Sequence, residues 1–299
     1  MKTIASKRVV LGIMIVWLIL MAIFTFADLN FSKAIYNPVN SMFGKFFDVF
    51  GEHPALIILF ISGSILFKTS QNDKIVKKVI VRLVSILFIF FGGFTVFLFT
   101  FWRGMGIIDK KVIVLSIVFV ILLAVLVQFF LKRIPLETLK LYNAAAWAGI
   151  AIIFAEIIIV NVLKIFWGRL RFREMNGDYS QFTKWFLPNG LQENGISGEA
   201  YKSFPSGHSA NGWAVMVGML FMPYKKIWRN SMLVIAIIWG GCTSVSRIIM
   251  GAHFATDVLF GAMITVGCLF LFSKLFKVEL YPENLESGKG GYYEKIHSD

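Results

Sequence analysis

Three short blocks in the C-terminal half of the chain hold side chains of the kinds needed to grip and transfer an anionic phosphorus group. Lys164 is followed seven residues later by Arg171 in KIFWGRLR; Pro205-Ser206-Gly207-His208 comes next; the last block, SRIIMGAHFATD, runs from Ser246-Arg247 through His253 to Asp257. Each block sits at the end of a strongly apolar segment, where a buried charge is expensive and is seldom kept without a task. Lys164, Arg171 and Arg247 with the two histidines and one carboxylate make the charge pattern of a phosphatase that works without a metal.

The spacing assigns possible tasks. His253 and Asp257 are four residues apart, so on a helix they share a face, one turn apart. A carboxylate accepting from one imidazole nitrogen fixes the tautomer and frees the lone pair of the other. Ser206, Gly207 and His208 are placed to begin a helix, whose open N–H groups and positive dipole end favour an anion. Lys164, Arg171 and Arg247 form a clamp for a phosphate carrying nearly two negative charges. Arg169 and Arg173 read as cations at a span end, snorkelling or touching lipid headgroups. Ser203 and Ser246 could add a hydrogen bond each.

These blocks resemble the three motifs of the type 2 phosphatidic acid phosphatase superfamily, and the resemblance covers residues 161 to 262. The first block departs from the family pattern, because Phe172 follows Arg171 where a proline is usual, and a proline would stiffen the turn leaving the helix. What the resemblance implies is a helical membrane phosphatase core. In it His253 is the nucleophile that forms a phosphohistidine, Asp257 orients it, and His208 is the acid that protonates the leaving oxygen and then the base that activates water. Substrate phosphate would be held by Lys164, Arg171, Arg247, Ser206 and Gly207, with no metal and no other cofactor. The substrate would be a lipid phosphate or pyrophosphate of the undecaprenyl pyrophosphate, phosphatidylglycerophosphate or phosphatidate type. A lipid phosphotransferase or headgroup transferase would use the same residues, whereas a non-catalytic lipid binder would not need the His253–Asp257 pair.

The elements that must position these groups are membrane spans. A hydrophobic fraction of 57 %, 31 phenylalanines and a mean hydropathy of +0.73 exceed what soluble domains show. With about 20 apolar residues per span, the fold class is an all-α, polytopic helical bundle of eight spans: 9 to 27, 54 to 67, 79 to 102, 112 to 131, 144 to 163, 207 to 224, 231 to 247 and 258 to 276. The second is short enough to be re-entrant or tilted. Placing both termini in the cytoplasm puts 16 Lys and Arg at the span ends on that side and leaves five in the outer loops away from the motifs, which obeys the positive-inside rule. All three motifs then fall on the outer face of the cell membrane.

The net charge of +13 is thereby accounted for by topology and the motif cluster, with no nucleic acid as partner; the bilayer and a lipid phosphate are the partners, and nothing in the sequence fixes the oligomeric state. The chain divides into N-terminal spans (1–140), a phosphatase core (141–277) with an outer loop over 174–203, and a flexible cytoplasmic tail (278–299). Cys242 and Cys268 lie inside spans and suit neither a disulfide nor a thiolate metal site. Glu156, midway along the fifth span, leaves two readings open: partner of another polar group such as Asn161, or a role deeper in the substrate groove. Trp102, Trp167, Trp185 and Trp228 read as interface anchors.

Overall fold

The computed structural model describes residues 7–190, 198–222 and 226–278, and among them regular structure is entirely helical. In chain order the helices are α1 (Lys7–Ile35), α2 (Met42–Phe50), α3 (His53–Thr69), α4 (Ile75–Met105), α5 (Lys110–Leu131), α6 (Leu136–Lys140), α7 (Asn143–Trp167), α8 (Gly207–Trp213), α9 (Lys226–Ile249) and α10 (Ala255–Leu275). Local chemistry sets several ends. Ser41 caps α2 through Gly44 N–H at 2.9 Å and Asp109 caps α5 through Val112 N–H at 2.7 Å, each satisfying a donor that the first turn leaves open. The tail from 279 onward lies outside the described residues, as do 191–197 of the outer loop.

Seven stretches are long and apolar enough to cross a membrane. α5 is strongly apolar beyond its first two lysines, yet only Val112, Ser116 and Val120 are buried; its Leu122 is exposed, as are Leu83, Leu87, Ile158 and Ile238 on other helices. Such faces are stable where lipid is the solvent. The short second span expected to be re-entrant or tilted is part of a longer stretch: α3 follows α2 after the turn at Gly51 and Glu52, runs on into a 3-10 turn (Ser70–Asn72), packs along α4 and α7, and is the most enclosed helix of the set.

The expectation over 207–224 needs correction. There the chain forms α8 and then a 3-10 helix, Ala214–Phe221, rather than one long α-helix. A 3-10 helix rises about 2.0 Å per residue, so the combined segment reaches about 26 Å, close to the ~30 Å of a hydrocarbon core. Ala214 to Leu220 are all buried. This short piece forms the centre of the bundle, against α3, α7, α9 and α10, and carries His208 at its start.

Candidate active site

The first motif is shaped by the way α7 stops. Gly168 takes a left-handed conformation (φ 53°, ψ 34°) and its N–H returns to Lys164 O at 3.3 Å, a termination suited to a residue without Cβ. Lys164 therefore lies in the last turn while Arg171 follows the reversal. Arg171 is extended (φ −71°, ψ 146°), the backbone region a following proline would impose. Phe172 secures it by packing instead: its buried ring meets Tyr36, Tyr179 and Phe254 at centroid distances of 5.1, 5.7 and 6.1 Å. Arg171 thus takes the extended conformation that a proline after it would have imposed.

The second and third motifs are locked together. Ser206 caps α8 by accepting Ser209 N–H at 3.2 Å, and its own N–H donates to Asp257 O at 3.0 Å. A Cβ on Gly261 would fall 2.3 Å from Ser206 O, so α10 needs glycine there to approach. Gly207 lies beside Lys164, whose Nζ would be 3.6 Å from a Cβ built on it. This brings the ammonium to the opening of α8. Ser206 is buried, with its N–H and one hydroxyl lone pair committed to these framework bonds; Ser246 is also used within the framework, donating to Thr243 O at 2.7 Å.

His253 precedes α10 instead of sharing its face with Asp257, which corrects the helical expectation. The boundary is set by Asp257 itself, whose Oδ2 accepts Phe254 N–H at 2.8 Å and makes Phe254 the N-cap. His253 Nδ1 lies 2.5 Å from Ser203 O and 4.0 Å from Asp257 Oδ2. A carbonyl only accepts, so Nδ1 carries the proton and Nε2 keeps its lone pair. Asp257 acts on this arrangement indirectly, since Ser203 Oγ donates to its Oδ2 at 2.6 Å. Burial, followed by the charges of Arg171, Lys164 and Arg247, holds the His253 imidazole well below its usual pKa, so it is neutral near pH 7.

Arg169 is not a lipid-facing cation. It is 1 % exposed, donates to Asp257 Oδ1, to Asp28 Oδ2 at 3.1 Å and to Thr256 Oγ1 at 3.0 Å, and lies over the Phe254 ring. Asp28 of α1 also accepts Thr256 N–H at 2.9 Å. This closed network ties α1 to the start of α10 and compensates charges that would be costly if single. Arg173, in contrast, is half-exposed beside Glu174.

Helices before residue 140 complete the pocket with groups the motifs did not reveal. Asp48 of α2 pairs with Arg247. Glu52, between α2 and α3, accepts from Arg103 at 2.5 Å and from Asn211 at 3.1 Å, and its Oε1 is 3.3 Å from His208 Nδ1. Arg103, which the sequence places in an outer loop, ends α4 and reaches His208 Nε2 at 2.9 Å. Arg171 pairs with Glu199 at 3.0 Å. The Nε groups of Arg171 and Arg247 are buried and without hydrogen-bond partners among the described residues. The pocket therefore combines two histidines, an excess of cations and open guanidinium donors, an environment that suits a multiply charged anion. Glu156 is not in it: Thr265 of α10 donates to Glu156 Oε2 at 3.0 Å, while Asn161 is exposed and bonds back to Ile157 O.

Residues 144–280 match the PAP2 superfamily. A 94-residue stretch is 30 % identical to a lipid A 4'-phosphatase of Helicobacter pylori (strain J99), covering 30 % of this chain and 45 % of that protein; the chain spans about half the length of that relative. No solved structure matches. The matched segment runs from α7 to the end of α10 and holds all three motifs, so the likeness to the PAP2 superfamily lies in the part of the chain that builds the site.

Proposed function

We propose that this protein is an integral-membrane phosphatase that removes a terminal phosphate from a lipid phosphate or pyrophosphate through a phosphohistidine, with arginine and lysine in place of a metal. The observation that carries this reading is His253, whose Nδ1 faces Ser203 O and so leaves the Nε2 lone pair free, set among Lys164, Arg171 and Arg247. Nε2 attacks phosphorus, the bond to the leaving oxygen breaks, and His208 gives that oxygen a proton. Water then attacks phosphorus, the bond to His253 Nε2 breaks and phosphate leaves, and His208 takes a proton from that water, while the cations stabilise charge on the equatorial oxygens in both steps. To bind, the phosphate displaces Asp48 from Arg247 and Glu199 from Arg171, carboxylates that stand in for it in the resting site.

Two further features support an amphiphilic substrate. The relative just described acts on a phosphorylated lipid by its name. Beside Asp48 and Glu52, an apolar cavity of about 560 Å³ is lined by Phe46, Phe50, Ile57, Val215, Met232 and Trp239, with room for part of a hydrocarbon tail. The basic residues at span ends support an outer-facing site with cytoplasmic termini, where a carrier such as undecaprenyl pyrophosphate would be released. The test is phosphate release by purified protein in detergent, with chelator present, across undecaprenyl pyrophosphate, phosphatidylglycerophosphate, phosphatidate and a lipid A phosphate. Turnover of at least one, unaffected by chelator and inhibited by vanadate, is expected; turnover abolished by chelator and restored by magnesium would overturn the metal-free reading.

A further inference from the structure

We infer that Glu52 is the positioning residue of His208, supplied from outside the segment that matches the family, so that each histidine of the site is governed by its own acceptor system. This rests on the phosphatase reading above. Glu52 is buried and held from three sides: Arg103 Nη1 on Oε2 at 2.5 Å, Asn211 Nδ2 on Oε1 at 3.1 Å, and His208 Nδ1 at 3.3 Å from Oε1. A carboxylate fixed in this way has one orientation, and it lies on the Nδ1 side of the ring. Nδ1 then carries its proton toward Glu52, and Nε2 is the nitrogen that exchanges a proton with the reaction. In the resting site Nε2 accepts from the Arg103 guanidinium at 2.9 Å, so the proton it gives up arrives only once the phosphate has drawn that cation away.

The arrangement gives His208 what an acid–base catalyst needs. A negative charge at Nδ1 favours the imidazolium that donates to the leaving oxygen, and a fixed tautomer returns the same nitrogen to service for the water step. The other charged groups around the ring work against protonation or for it: Asp48 of α2 lies 3.7 Å from Nε2, whereas Arg103 of α4, Lys164 of α7 and Arg247 of α9 are positive and His253 stands before α10. Against that positive excess, Glu52 is the carboxylate placed at Nδ1. Residues 51 and 52 join α2 to α3, and Gly51 is pinned by its N–H to Phe47 O and by Trp239 on its carbonyl at 3.3 Å. The backbone that carries Glu52 is therefore as fixed as the motif it serves.

The decisive variant is Glu52→Gln, which keeps size and hydrogen bonding but removes the charge. It is expected to lower kcat/KM for an alkyl phosphate roughly 10- to 100-fold, part of the 10² to 10⁴ that general acid catalysis contributes. The loss should be several-fold smaller for p-nitrophenyl phosphate, whose leaving oxygen needs little protonation. The basic limb of the kcat/KM profile should also move to lower pH by about one unit, the effect of losing an opposite charge at contact distance. If Glu52→Gln does not fold, Glu52→Asp, which keeps the charge but withdraws it from Nδ1, should show the same two signatures at smaller size. Equal losses for both substrates with an unmoved basic limb would make Glu52 merely structural and overturn the inference. A wild-type protein that released no phosphate from any substrate would instead remove the phosphatase reading beneath it.

Discussion

Arg169 and Arg171 lie two positions apart and have opposite surroundings. Arg171 pairs with Glu199 at the edge of the loop and keeps an open Nε, while Arg169 is sealed between Asp28 and Asp257. A sequence reading sees two similar cations at a span end; burial separates them. Removing one member of a buried ion network leaves uncompensated charge, at a cost of about 3–5 kcal/mol. Arg169→Leu should therefore lower the unfolding midpoint of the protein in detergent substantially and abolish turnover. An unchanged midpoint would show that Asp28 and Asp257 do not depend on it. The motif histidines and cations were readable because each lies in a contiguous block. Asp48, Glu52 and Arg103 were not, because their partners are far away in sequence: 105 residues separate Arg103 from His208 and 159 separate Glu52 from Asn211. The available signal is an acidic residue within or beside an apolar run, where charge is costly, and Asp28 and Glu52 carry it as Glu156 does.

Among the elements, long apolar runs were enough to locate the lipid-facing helices, since α4 and α5 meet lipid along much of their length. Two local features lay beyond hydropathy. The 3-10 winding of Ala214–Phe221 follows from tertiary packing of a fully buried segment, and an apolar run reads the same in either helix. The start of α10 was legible in principle: an acidic residue at the third helical position caps the residue three before it, which makes Phe254 the cap of Asp257 and leaves His253 outside the helix. Spacing alone suggested one shared face. The consequence is chemical, because Ser203 O rather than the Asp257 carboxylate is the direct acceptor of His253 Nδ1.

At the scale of the whole molecule, the site draws on both halves of the chain. α7 to α10 bring the motif residues, and α1, α2 and α4 bring Asp28, Asp48 and Arg103. The proposed orientation can be checked in intact cells: single cysteines introduced at Ser180 and Gln181, both exposed, should react with a membrane-impermeant maleimide without permeabilisation. Reaction only after permeabilisation would turn the molecule over and move its substrate to the cytoplasmic leaflet. The claim on which everything else depends is covalent transfer to His253. Rapid acid-free quenching of the protein during turnover of a phosphate-labelled lipid, followed by peptide mapping, should place an acid-labile phosphate on His253, and His253→Ala should lose both label and product. Phosphate mapped to His208, or appreciable turnover by His253→Ala, would contradict the account.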